Sequence, residues 1–358
     1  MSRVLVMAGG TGGHVFPALA VADLLRAQGH EIEWLGTAQR IEARVVPEAG
    51  IKLNTISVEG VRGKSKLSLL LAPLKIIKAV MQARAVVRRF NPDVVLGMGG
   101  FASGPGALAA YLQGCPLVIH EQNAIAGVTN TQSRRFARRV LQAFPNAFKT
   151  GEQGEVVGNP IRGPILELSP PAERFTGRTG RLRVLVVGGS LGALAINELM
   201  PKVIAQLPED ERPELLHQTG DKHLLATQDA YKRAGVTAEV VPFIEAMHTA
   251  YANADLVICR AGALTVSEIA IAGVAALFIP FPYAVDDHQT ENASYLVAAG
   301  GADLIQQRDL TVERLLDWFK QHSSRDKLLA MAERAREQGR PDAGQRVADI
   351  CLEVCRES

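Results

Sequence analysis

Met7-Ala8-Gly9-Gly10-Thr11-Gly12-Gly13-His14 separates an apolar run, Val4 to Met7, from an amphipathic stretch, Val15 to Ala27. Four glycines where a strand gives way to a helix leave backbone N–H groups aimed at open space, which can cradle an anion. His14 closes the stretch and is read either as a proton acceptor beside that anion or as a packing or capping residue of the first helical turn. Half a chain later, Arg183-Val184-Leu185-Val186-Val187-Gly188-Gly189-Ser190-Leu191-Gly192-Ala193 repeats the pattern. A strand, a glycine turn with a hydroxyl residue and a helix, once per half, predict an α/β protein of two similar doubly wound domains.

The chain of 358 residues is long enough for two cores. Hydrophobic content of 47% and charged content of 21% are those of a globular protein, and a net charge of +2 gives no reason to expect a nucleic-acid partner. Cys115, Cys259, Cys351 and Cys355 form no CxxC pair and have no histidine at zinc-ligand spacing, so a reduced, cytosolic protein without metal or disulfides is expected. Met1 to Val4 lead straight into a strand pattern with no signal-peptide core, and no apolar run reaches transmembrane length. Any membrane contact is expected to be peripheral.

Charge is unevenly spread. Between Glu59 and Asp93 there is no acid but there are eight basic residues: Arg62, Lys64, Lys66, Lys75, Lys78, Arg84, Arg88 and Arg89. Leu70, Leu74, Ile77 and Met81 are interleaved with them, on a helix predicted from Pro73 to about Phe90. The pattern fits either a membrane-surface element or a core-facing helix with a solvated basic face. Arg134, Arg135, Arg138 and Arg139, spaced for one side of a helix, lie in a second acid-free segment.

Further glycine turns follow the strands at 93–96 and 256–259, namely Gly97-Met98-Gly99-Gly100 and Arg260-Ala261-Gly262. The strand 116–119 runs into His120-Glu121-Gln122-Asn123, at a carboxyl end where open α/β sheets bind ligands. Prolines and glycines from Glu155 to Pro164 mark a linker. None of the turns is a dinucleotide fingerprint or a P-loop, and no Asp-x-Asp pair is present to hold a metal between phosphates. The remaining reading is a binder of a diphosphate or sugar nucleotide, whose leaving group helix N-termini can stabilise without a metal.

Taken together, Gly9 to His14, Gly97 to Gly100, His120 to Asn123, Gly158-Asn159-Pro160, Gly188-Gly189-Ser190 and Arg260 to Glu268 resemble, in order and over nearly the whole chain, the MurG family of glycosyltransferases. The resemblance implies a GT-B fold, two Rossmann-like domains facing across a cleft. The boundaries expected are 1–161 for an acceptor- and membrane-binding domain, 162–341 for a UDP-N-acetylglucosamine-binding domain, and a final helix at 342–358 returning to the first. It implies inverting transfer of N-acetylglucosamine from UDP-N-acetylglucosamine to the C4 hydroxyl of the muramoyl sugar of lipid I, giving lipid II and UDP in peptidoglycan synthesis, with no cofactor.

By motif match, His14 is the candidate general base and Glu121 a second candidate. Ser190 and Arg162 would meet the diphosphate, Ile244 the uracil, and Ala263, Leu264, Thr265, Val266, Ser267 and Glu268 the sugar and ribose. Gln289 and Asn123 would address the sugar, which Thr11, Gly12 and Gly13 would approach across the cleft. Leu191 stands where the family usually has glutamine, and His288-Gln289 replaces a Gln-Gln pair. The resemblance also implies a peripheral enzyme on the cytoplasmic face of the bacterial inner membrane. Leu70, Leu74, Lys75, Ile77, Lys78, Met81 and Arg84 would meet anionic lipid there, alongside other cell-wall synthesis and division proteins.

Overall fold

The computed structural model describes residues 1–58, 72–149, 154–189 and 192–357. Leu70, Ser190 and Leu191 lie outside the described residues, as do Arg62, Lys64 and Lys66. The chain forms two compact units, Met1–Arg162 with Pro341–Ser358, and Gly163–Arg340.

In the first unit a parallel sheet runs in the order β3 (Lys52–Thr55), β2 (Glu31–Gly36), β1 (Arg3–Met7), β4 (Val94–Gly97), β5 (Leu117–Glu121), β6 (Arg139–Gln142), β7 (Glu155–Val156). Helices cover both faces, so the central strands are buried on both sides; Val4 through Met7 and Val94 through Leu96 are all fully buried. One core joins Val4, Val6 and Val94 to the helix Gly12–Ala27 and to Val347, Cys351 and Val354 of the last helix, Ala343–Glu357. The other face joins Leu5, Met7 and Val95 to Ala79, Ala83 and Val87 of the helix Ala72–Phe90.

The second unit repeats the plan. Its parallel sheet runs β10 (Glu239–Val241), β9 (Glu214–Gln218), β8 (Arg183–Val187), β11 (Leu256–Cys259), β12 (Ala275–Phe278), β13 (Ala302–Leu304). Both sheets reverse direction of strand succession at one place, between β1 and β4 and between β8 and β11. Such a switch point opens a crevice outside the carboxyl ends of the strands. Met7 is in register with Gly97, and Val187 with Cys259. The glycine turns after β1 and β4 therefore meet at one switch point, and those after β8 and β11 at the other.

Two expectations need correction. Arg134, Arg135, Arg138 and Arg139 do not share a helix face: Arg134–Phe136 is a single 3-10 turn, Ala137 is extended, and Arg139 opens β6. Arg134 lies over the Phe148 ring, and Arg138 and Arg139 pair with Glu357. The second correction concerns the strand expected at 116–119, which runs on through Glu121. His120 and Glu121 belong to β5, and their side chains, like that of Gln122, are buried.

Candidate functional site

The opening turn is built by interlocking with the turn after β4. Met7 O accepts hydrogen bonds from Met98 N at 2.8 Å and Ser103 Oγ at 2.9 Å; the same hydroxyl reaches Gly99 O at 2.7 Å. A Cβ on Gly100 would stand 2.1 Å from Gly9 O, and one on Gly99 would stand 2.8 Å from the His14 ring. Both residues have positive φ, +87° and +88°, so glycine is required there for space and for conformation.

His14 is half-buried at the start of the helix Gly12–Ala27. Its Nδ1 lies 3.3 Å from Thr11 Oγ1, and its Nε2 is the nitrogen beside Gly99. Thr11 occupies the N-cap position, yet its hydroxyl makes no cap bond and turns to the imidazole. Gly12 gives room to Phe16, whose ring carries the exposed Arg162 guanidinium at 5.3 Å. Arg162 thus stands beside the opening turn, in the first unit.

Glu121 is 2% exposed and accepts four hydrogen bonds: from Asn123 N at 2.9 Å, Asn123 Nδ2 at 3.3 Å, Gly127 N at 3.1 Å and Asn130 Nδ2 at 2.8 Å. A carboxylate so occupied and so dry orients the loop that carries Asn123, rather than standing open to take a proton. His120, wholly buried, pairs Nε2 with Gly158 O at 2.8 Å, and burial pulls its pKa down to about 4. It is neutral at physiological pH.

In the second unit Gly189 (φ +82°) is held from below by Gln218, whose Oε1 accepts from Gly189 N at 3.0 Å and whose Nε2 donates to Gly189 O and Pro242 O. Gly192 also needs its positive φ, since a Cβ there would sit 2.1 Å from Thr219 O. Beneath lies His217, bonded to Tyr231 Oη and Asn197 Oδ1 and held down to about pKa 4 by burial.

After β11 the helix Ala263–Ala272 opens from Gly262. Helical periodicity divides the six successive residues: the side chains of Val266, fully buried, and Ala263, nearly so, belong to the core. Leu264, Thr265, Ser267 and Glu268 are partly exposed. Tyr251 Oη, itself buried, donates to Glu268 Oε2 at 3.1 Å. Arg260 locks the next loop by donating to Ile279 O, Pro280 O and Gln307 Oε1. Gln289 Oε1 accepts from Phe281 N at 2.9 Å, which fixes the amide. Ile244 lines a cavity of about 570 Å³. That cavity also takes in Arg183 and Glu214 at the amino ends of β8 and β9, so it extends away from the crevice marked by the glycine turns.

Glu42 (which accepts from Gly10 N), Tyr251 and Gln218 carry no signal in the sequence. Each acts on a glycine or a carboxylate far along the chain, and no local motif marks it. Among the described residues, no group of three or more His, Cys, Asp or Glu side chains could hold a metal ion.

Two parallel-sheet units with glycine turns at both switch points are the two Rossmann-like halves of a GT-B fold. The chain matches the glycosyltransferase family 28 N-terminal domain over residues 4–142 and the family 28 C-terminal domain over residues 183–347. It is 52% identical, over 98% of its length and 97% of the relative's, to the UDP-N-acetylglucosamine--N-acetylmuramyl-(pentapeptide) pyrophosphoryl-undecaprenol N-acetylglucosamine transferase of Marinobacter nauticus. The Paraburkholderia xenovorans protein of the same description is also 52% identical, over 98% of this chain and 94% of that protein. The crystal structure of Acinetobacter baumannii MurG superposes with a TM-score of 0.87 at 44% identity, covering 99% of this chain and all of that one. The chain belongs to glycosyltransferase family 28 and, within it, to the MurG family.

Proposed function

We propose that this chain transfers N-acetylglucosamine from UDP-N-acetylglucosamine to the C4 hydroxyl of the muramoyl sugar of lipid I, with inversion, yielding lipid II and UDP. The observation that carries the reading is the near-full-length identity of 52% with transferases of that description. The site chemistry supports it. In this reading the C4 hydroxyl gives its proton to His14 Nε2 while its oxygen attacks the anomeric carbon. The bond from that carbon to the phosphate oxygen breaks, and its electron pair leaves with UDP.

The donor belongs to the second unit in this account. N–H groups of the turn after β8 and of the helix that starts at Ala263 stabilise the leaving diphosphate. No divalent cation is then required. Glu268, oriented by Tyr251, takes the ribose hydroxyls, and Gln289 addresses the sugar. The motif assigns Ser190, which lies outside the described residues, to the same diphosphate.

Membrane association is the second part of the proposal. No helix among the described residues is long and apolar enough to cross a membrane. The helix Ala72–Phe90 buries Ala79, Ala83 and Val87 and exposes Leu74 (65%), Ile77 (55%) and Met81 (67%), one row at helical spacing. Lys75, Lys78 and Arg84 are exposed beside them, and Tyr111 and Leu112 extend apolar surface on the helix Ser103–Leu112 packed against it. Such a face suits an anionic bilayer surface reached from the cytoplasm, where a lipid-linked acceptor resides. Product analysis tests the chemistry: incubation with UDP-N-acetylglucosamine and a soluble lipid I analogue should give a β-configured disaccharide by NMR. An α linkage, or no disaccharide, would overturn the reading.

A further inference from the structure

Glu42 lies in the short helix Glu42–Glu48 after β2 and is 0% exposed. Its Oε2 accepts from Gly10 N at 3.0 Å, and its Oε1 accepts from Thr37 N at 3.1 Å and from Thr37 Oγ1 at 2.6 Å. All three partners are donors, matching what a carboxylate can take. The surrounding chain is cut to admit it. A Cβ on Gly9 would lie 2.6 Å from Oε1, and one on Gly36 would lie 2.9 Å from Cγ. Gly10, at φ +98°, turns its N–H down to the carboxylate. Three glycines on two strands' ends thus serve one side chain.

Burying a carboxylate is costly unless its oxygens are bonded, so a buried one that bonds a loop backbone holds that loop in a single arrangement. We propose that Glu42 is the positioning residue of the opening turn: it fixes Gly10 and, through the turn that follows, sets where His14 stands against Gly99. The proposal rests on the transferase reading, in which His14 takes the acceptor's proton.

The second unit supplies a control within the same molecule. There the N–H of Gly189, like Gly10 the second glycine of a pair and at positive φ, is held at the same distance of 3.0 Å by a neutral amide, Gln218 Oε1. Among the described residues, the N–H of Gly10 thus meets a carboxylate and that of Gly189 a neutral amide. A diphosphate is repelled less by the second, so this difference favours a base on the first turn and the leaving phosphate on the other.

Glu42→Gln keeps the shape but makes one amide N–H face a backbone donor, so one tether becomes repulsive. The expected result is a kcat at least tenfold lower, with UDP affinity and donor KM within twofold of wild type. Amide hydrogen exchange at Gly10 to His14 should quicken at least tenfold, with residues around Gly188 and Gly189 unchanged. Should Glu42→Gln fail to fold, Thr37→Val removes only the hydroxyl bond and should show the same split at two- to fivefold. Wild-type kcat and exchange in these variants, or UDP affinity falling in step with kcat, would overturn the proposal. A wild-type chain that makes no disaccharide would refute the transferase reading instead, and the exchange data would still judge the tether.

Discussion

Gly100→Ala probes the interlocked turns with one methyl group. The added Cβ would lie 2.1 Å from Gly9 O, 1.3 Å short of the 3.4 Å at which ordinary contact begins, and within 2.9 Å of Gly9 C and N. The obstacle is backbone, so no rotamer relieves it. Residue 100 must also hold φ +87°, which costs a residue with a Cβ about 1–2 kcal/mol. The two turns must therefore separate by about 1 Å, and a displacement of that size at a reacting group costs on the order of 100-fold in rate. The expected outcome is a kcat about 100-fold lower in a coupled assay of UDP release with a soluble lipid I analogue. A loss of about 2 kcal/mol should also lower Tm by roughly 4–8 °C. Calorimetric UDP affinity should stay within twofold, because the donor turn belongs to the other unit. A kcat within threefold of wild type would refute the interlock, and a parallel loss of UDP affinity would refute the division of labour between units.

His14→Ala should lower kcat by roughly 10²–10⁴-fold with donor KM nearly unchanged; preserved turnover in steady-state assays would remove His14 as the base. Tyr251→Phe removes the hydroxyl that orients Glu268 at 3.1 Å, so UDP affinity should drop about tenfold by calorimetry, and no change would show that the bond does not matter to the donor. Neutralising Lys75 and Lys78 as alanines removes about 2 kcal/mol of attraction to an anionic surface, or about 30-fold in binding to phosphatidylglycerol vesicles, and undiminished binding would clear this helix of a membrane role. His120 and His217 are buried with pKa values near 4, below the unfolded value of about 6.5, so the unfolded chain binds more protons between those limits. Their contribution, up to about 3 kcal/mol each, is present above pH 6.5 and lost as pH falls toward 4. Urea midpoints should fall between pH 7 and pH 5, and a flat profile would contradict the buried neutral state.

The fold was legible because its signals are local. Apolar strands ending in glycine turns and followed by helices occur in both halves, and that pattern alone predicts parallel sheets. β6 escaped detection because four arginines at i, i+1, i+4 and i+5 mimic a helix face, while its pairing with β5 is a tertiary fact. The buried fate of Glu121 was equally invisible: a polar quartet at a strand end looks solvated until Asn130 and Gly127 fold back onto it. Glu42 is the clearest case. It contacts Gly10, 32 residues earlier in the chain, and its meaning depends on the empty Cβ positions of Gly9 and Gly36. Motifs mark residues that meet a substrate, whereas the residues that hold those motifs in place emerge only from packing.

Acceptor-dependent release of UDP tests the central claim most directly. With chelator present, UDP-N-acetylglucosamine alone should give almost no UDP, and adding a soluble lipid I analogue should give one UDP per acceptor, with an acceptor mass gain of one N-acetylhexosamine. Release that ignores the acceptor, an epimerised sugar nucleotide, or donor binding without any release would contradict the account.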